Sequence, residues 1–124
     1  MKCGFAKVDI TPKVGCHLAG HPQVRPAEAI ADPLYIRALS FEEGEGVVFL
    51  VFDVMSIVTE TAALIRRTVA EALGWELRQV HVAATHTHYA PYTCCGENEE
   101  TDEFARSLIA MGVNKLAGLD LAQQ

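Results

Sequence analysis

Two histidines, His86 and His88, stand one residue apart in the segment VAATHTHYAP, where a run of small and apolar side chains gives way to a proline. Residues two apart in an extended chain point to the same side. An extended reading of residues 79–88 therefore puts Val80, Val82, Ala84, His86 and His88 on one face, with both imidazoles at its carboxyl end. Neutral imidazole is the commonest metal ligand among side chains, and two rings on one face can converge on a single cation such as zinc. Ala83 and Ala84 leave room behind them, while Thr85 and Thr87 face the other way and can hold backbone or water. The competing reading is a pair of hydrogen-bonded structural histidines, and a His-x-His pattern alone names no reaction.

Other groups can join this site. Asp53 also ends an apolar run, and its carboxylate can either bond a ring N–H of a metal-bound histidine or cap the amides of the following turn. Cys94 and Cys95 follow His88 closely enough to offer thiolates for a closed structural zinc site, although adjacent cysteines fit tetrahedral geometry poorly. His17 and His21 lie in a long loop that can reach the same cleft, with a solvated position as the alternative for each. His81 falls on the opposite face from His86 and reads as structural. The chain has no GxSxG elbow, no phosphate-binding glycine loop, no HExxH and no HxHxDH, which removes several rival hydrolase schemes.

The elements that must position these residues follow from periodicity. Phe5–Ile10 alternates as a half-buried strand and stops at Thr11-Pro12. Val14–Pro33 shows no period and carries prolines and glycines throughout, as functional loops do. Leu34–Phe41 and Val47–Val54 read as two strands joined by the turn sequence EEGEG, and the unbroken apolar run of the second predicts cover on both faces. Ser56–Leu73 has helical spacing, with Ser56 or Thr59 as its cap and Gly74 as its stop. A last helix starts near Thr101 or Asp102. The order predicts one α/β domain over residues 1–124: a mixed sheet with a hairpin, a right-handed βαβ crossover and a C-terminal helix. The crossover sets Asp53 beside the histidines at the carboxyl end of neighbouring parallel strands, where open α/β sheets place ligands.

Composition narrows the partners. With 16 acidic and 10 basic side chains among 124 residues, the net charge is −6, which argues against nucleic acid. No apolar run is long enough to span a bilayer, and no signal-like segment opens the sequence. Four cysteines without a CxxC pair read as free thiols in a reducing cytoplasm.

Taken in order, AKVDITP, LAG, RPAEAIADPLYIRAL, the strand ending in Asp53, and ATHTH with a proline following resemble the amino-terminal portion of the neutral/alkaline, non-lysosomal ceramidases. The resemblance runs over residues 5 to 91. It implies a zinc-dependent amidase that cleaves an N-acyl bond of a ceramide-like lipid into a fatty acid and a sphingoid base. It implies His86 as a ligand of one zinc ion and His88 as the catalytic residue beside it. The family's remaining ligands, a histidine, a glutamate and a tyrosine, lie further along its much longer chain. Tyr89-Ala90-Pro91 stands where the family has Ser-Gly-Pro, and Ala31 where it has a histidine. The expectation is an incomplete domain, inactive or nearly so alone, that self-associates through an exposed sheet edge or joins the missing remainder. The alternative is a non-catalytic metal-binding or oligomerising domain.

Overall fold

In β1 (Lys2–Asp9), β2 (Tyr35–Glu43) and β3 (Glu45–Phe52), buried residues alternate with exposed ones along most of each strand, and the buried set defines one inner face. The computed structural model describes residues 1–23, 25–93 and 99–117. Gly44, at φ 78°, lets β2 turn directly into β3, since a left-handed backbone is open to glycine at little steric cost. The strands lie in the order β1-β2-β3-β4; β1–β2 and β2–β3 are antiparallel, and β3 runs parallel to β4 (Val80–Ala84). The crossover from β3 to β4 is made by α1 (Thr59–Leu73), and α2 (Glu99–Ala117) follows β4. This is the mixed α/β sheet that the periodicities predict.

Both helices cover the same face of the sheet. Ile65, Val69 and Ala70 of α1 and Ile109, Val113 and Leu116 of α2 pack with Val8, Ile36, Val48, Leu50, Phe52 and Val80 in one buried cluster. α2 comes close because Gly112 has no side chain: a Cβ there would run into the buried Ile36 and Ile10 side chains. Among the described residues, no helix is long and apolar enough to cross a membrane.

Two expectations need correction. The run Val47–Phe52 is covered on one side only: Val48, Leu50 and Phe52 are buried, whereas Phe49 on the outer side is 43% exposed. An apolar run reports what a strand tolerates on each face, not which neighbour is present to cover it. The first helix begins at Thr59, not Ser56, and neither Ser56 nor Thr59 caps it; Val58 holds the cap position with no side-chain hydrogen bond. The Ser56 carbonyl instead accepts the Thr93 hydroxyl at 2.5 Å, which ties the segment after β4 to the start of the crossover. The other end is as expected, with Gly74 left-handed at φ 68°.

Phe52 is fully buried and Phe49 is not, although both belong to β3. Phe52→Ala should therefore lower unfolding free energy by about 3–5 kcal/mol, and Phe49→Ala by much less in dilute protein, as urea titrations of the two variants will show.

Candidate metal and catalytic site

Because β3 and β4 are parallel, their carboxyl ends emerge side by side. Pairing continues beyond Ala84: Thr85 N–H donates to Phe52 O at 2.9 Å and His86 N–H to Val54 O at 3.0 Å. The regular strand nonetheless stops at Ala84, and His86 adopts φ 63°. The expected extended run to His88 is thus interrupted by one left-handed residue. For a residue other than glycine this conformation costs roughly 1–3 kcal/mol and persists only where its surroundings hold it.

Those surroundings also set the chemistry of the ring. His86 Nδ1 lies 2.9 Å from Met55 O, and a carbonyl can only accept. Nδ1 therefore carries the proton of the neutral ring, leaving a lone pair on Nε2. That Nε2 faces His88 Nε2 at 3.3 Å, so in the neutral pair His88 Nε2–H is the donor. The rings meet edge to face, with centroids 4.9 Å apart and planes at 75°. His86 is exposed and His88 half-buried, so the pair opens to solvent.

His88 is seated by the long loop. Leu18 bridges to Pro91, Ala19 N–H donates to Ala90 O at 3.0 Å and Tyr92 N–H to His17 O at 3.2 Å. This short ladder brings Gly20 and His21 under the histidine pair. Gly20 sits at φ 75° against the His88 ring, and a Cβ there would overlap its Nδ1, Cε1 and Cγ atoms. His21 Nε2–H donates to the His88 carbonyl at 3.0 Å, and its ring stands edge-on to Tyr89 at 5.7 Å. His21 is therefore part of the site and not a solvated loop residue. Nothing in its spacing marks it, and the glycine before it is the only hint.

The remaining candidates sort differently. Asp53 neither meets the histidines nor caps the turn after β3; its carboxylate accepts Tyr35 N–H at 2.9 Å and Arg37 Nη1 at 2.9 and 2.8 Å, locking β3 to β2. His81 is on the outer face as expected, stacked on Phe49 at 5.1 Å. His17 contributes its carbonyl to the ladder. Cys94 and Cys95 lie outside the described residues. Among the described residues, no three His, Cys, Asp or Glu side chains come together as a metal cluster.

Thr87, Tyr89 and Pro91, neighbours of the pair in sequence, line a cavity of about 480 Å³ together with Arg25, Ile30 and Leu34, and neither His86 nor His88 lines it. Cys16 lines it too, and burial pushes its thiol up from the usual range, which keeps it protonated and a poor nucleophile or ligand.

No protein-family model matches the chain, and no curated protein does. Solved structures of ceramidases share its fold. The neutral ceramidase from Pseudomonas aeruginosa aligns with a TM-score of 0.66 at 22% identity, over 92% of this chain and 21% of that one. A ceramidase complexed with C2 aligns with a TM-score of 0.62 at 21% identity, over 92% of this chain and 20% of that one. The likeness is one of fold, and the chain spans about a fifth of the length of these structures.

Gly20→Ala should push the His88 ring off its seat and cost about 1–3 kcal/mol of stability through the combined backbone and packing strain. The displacement is read from the imidazole nitrogen shifts of His86 and His88, which would stay unchanged if Gly20 does not support the pair.

Proposed function

We propose that this chain contributes one corner of the active site of a zinc-dependent amidase that cleaves the N-acyl bond of a ceramide-like lipid, yielding a fatty acid and a sphingoid base. His86 is a ligand of the single zinc ion and His88 is the catalytic residue beside it. The observation that carries this reading is the convergence of the two Nε2 atoms at 3.3 Å, with His86 Nδ1 already committed to Met55 O. Metal-bound histidines regularly donate their other ring N–H to a carbonyl or carboxylate. The His86 Nε2 lone pair, which accepts from His88 Nε2–H in this structure, is the position that a zinc ion would take.

When bound, zinc would polarise the amide carbonyl and make a water molecule nucleophilic. The chain's own residues do the rest. Met55 O keeps the proton on His86 Nδ1 and so the lone pair on Nε2, on the side of His88. His88 Nε2–H, held by Gly20 and His21, donates to the amide oxygen as negative charge gathers there. The cavity lined by Thr87 and Tyr89 lies in the size range of small-molecule sites and offers apolar wall to an acyl chain.

Catalytic zinc takes three protein ligands, so this reading draws the others from beyond the described residues, in line with the histidine, glutamate and tyrosine that the family resemblance implies. The lack of a three-residue cluster among the described residues favours a second reading, a domain that binds metal or oligomerises without catalysis. The exposed free thiol of Cys3 accords with a reducing compartment, and we place the protein in the cytoplasm.

Zinc titration of the polypeptide that carries the remaining ligands, followed by calorimetry and imidazole shifts, tests the assignment. His86→Ala should abolish uptake, Cys94→Ser with Cys95→Ser should leave it unchanged, and unchanged zinc binding in His86→Ala would refute the ligand role. In the polypeptide that carries the remaining ligands, His88→Ala should retain zinc yet lose activity by about 10²–10³-fold; full activity would favour the non-catalytic reading.

A further inference from the structure

We propose that the cavity beside the long loop is a binding site for an alkyl chain that ends in a carboxylate, anchored by the Arg25 guanidinium. The inference rests on the amidase reading for its role, seating the acid half of that reaction, while the site itself needs no metal. Its floor is a small three-stranded patch. Leu18 bridges to Pro91, and the hydrogen bonds around the His17–Pro26 bridge set Arg25 opposite Leu18 and Ala27 opposite Cys16. Residues directly opposite share a face. Arg25, Leu18 and Pro91 therefore form one row across the patch and Ala27 and Cys16 the next, and all five line the cavity of about 480 Å³. Burial raises the Cys16 thiol, so this floor carries no thiolate. Ile30, 51% exposed, and Leu34 add apolar wall, as ligand pockets of this size commonly have.

Charge sets the direction of the bound chain. Lys13, Glu28 and Asp32 also line the cavity. They lie beyond the Ala27–Cys16 row, toward the hydrogen bond from Leu34 N–H to Thr11 Oγ1 at 2.9 Å. That end holds two carboxylates against one ammonium group and repels an anion. Arg25 belongs to the row at the other end, and among the described residues it has no carboxylate partner. A guanidinium binds carboxylate through two parallel N–H donors. The anionic head therefore sits at Arg25, and its tail runs over Leu18 and Cys16.

The same arginine also borders the histidine site. With His21, Pro22 and Gln23 it lines a second recess of about 380 Å³, and His21 Nε2–H donates to His88 O at 3.0 Å. Tyr89 links the two spaces, since it lines the cavity and stands edge-on to His21 at 5.7 Å. The Arg25 end of the cavity is thus the end nearer His88, which suits the acid that amide cleavage releases. Every wall comes from residues 11–34 and 87–91, so the loop itself builds the site.

Methyl spectra of the full chain titrated with dodecanoate, in EDTA and at about pH 8 where histidine is ordinarily neutral, test the site without zinc. Saturable shifts should centre on Leu18, Ile30 and Leu34, and acetate or dodecylamine should bind at least about tenfold more weakly. Arg25 is exposed, so Arg25→Ala should leave the core methyls of Leu50 and Ile65 unmoved while weakening dodecanoate about tenfold. Dodecylamine bound as tightly as dodecanoate, Arg25→Ala bound as tightly as wild type, or shifts confined to Leu39 on the open sheet face would each overturn the proposal. A chain that takes up no dodecanoate overturns it too. Because no metal enters this assay, that result leaves the zinc assignment to its own titration.

Discussion

Three consecutive hydrogen bonds hold the exits of two parallel strands together: Thr85 N–H to Phe52 O, His86 N–H to Val54 O, and the His86 ring to Met55 O. The first two extend the sheet by main-chain pairing. The third passes the same pairing logic to a side chain, at the point where β4 has ceased to be regular. A sheet whose central strands ran antiparallel would send these ends to opposite edges. The parallel crossover made by α1 is therefore what lets one strand's carbonyls orient another strand's imidazole.

The loop before β2 supplies the complementary support. Among the described residues it takes part in two isolated bridges and no regular strand or helix, yet it is laid against residues 88–92 through buried Ala19 and Ala90. Gly20 brings the chain closer to the His88 ring than any side chain would allow. Asp53, which shares the strand end with this site, is engaged by Tyr35 and Arg37 and fixes the height of β3 relative to β2. The geometry of the histidine pair and that of the sheet thus rest on neighbouring residues that do different work.

Much of the scaffold was legible because its signals are local. Gly44 and Gly74 sit where a left-handed turn is needed, and the alternation in β1 and β2 states which side is inward. The apolar β3 segment was misleading, since a hydrophobic residue at an outer position looks the same in sequence whether or not a neighbour covers it. The candidate pair was found by a route the structure does not follow. Alternation places His86 and His88 together, but the chain achieves their meeting by leaving the extended conformation at His86, which no residue-type pattern announces when the residue is not glycine. The roles of Met55 and His88 as carbonyl partners were equally out of reach, because a main-chain acceptor has no signature in side-chain spacing. His21 was visible as a histidine, and its contact with the site depends on a fold of the loop that only tertiary packing defines.

The left-handed backbone at His86 has a further meaning for how this chain tolerates change. Glycine or asparagine would sit there more comfortably, with less steric conflict around the Cβ. An imidazole persists against that preference, and its anchorage to a carbonyl across the strand gap offsets only part of the conformational penalty. Replacing His86 by glycine would relieve the backbone and at the same time remove the ring that Met55 O orients, so at this position local stability and the geometry of the histidine pair pull in opposite directions.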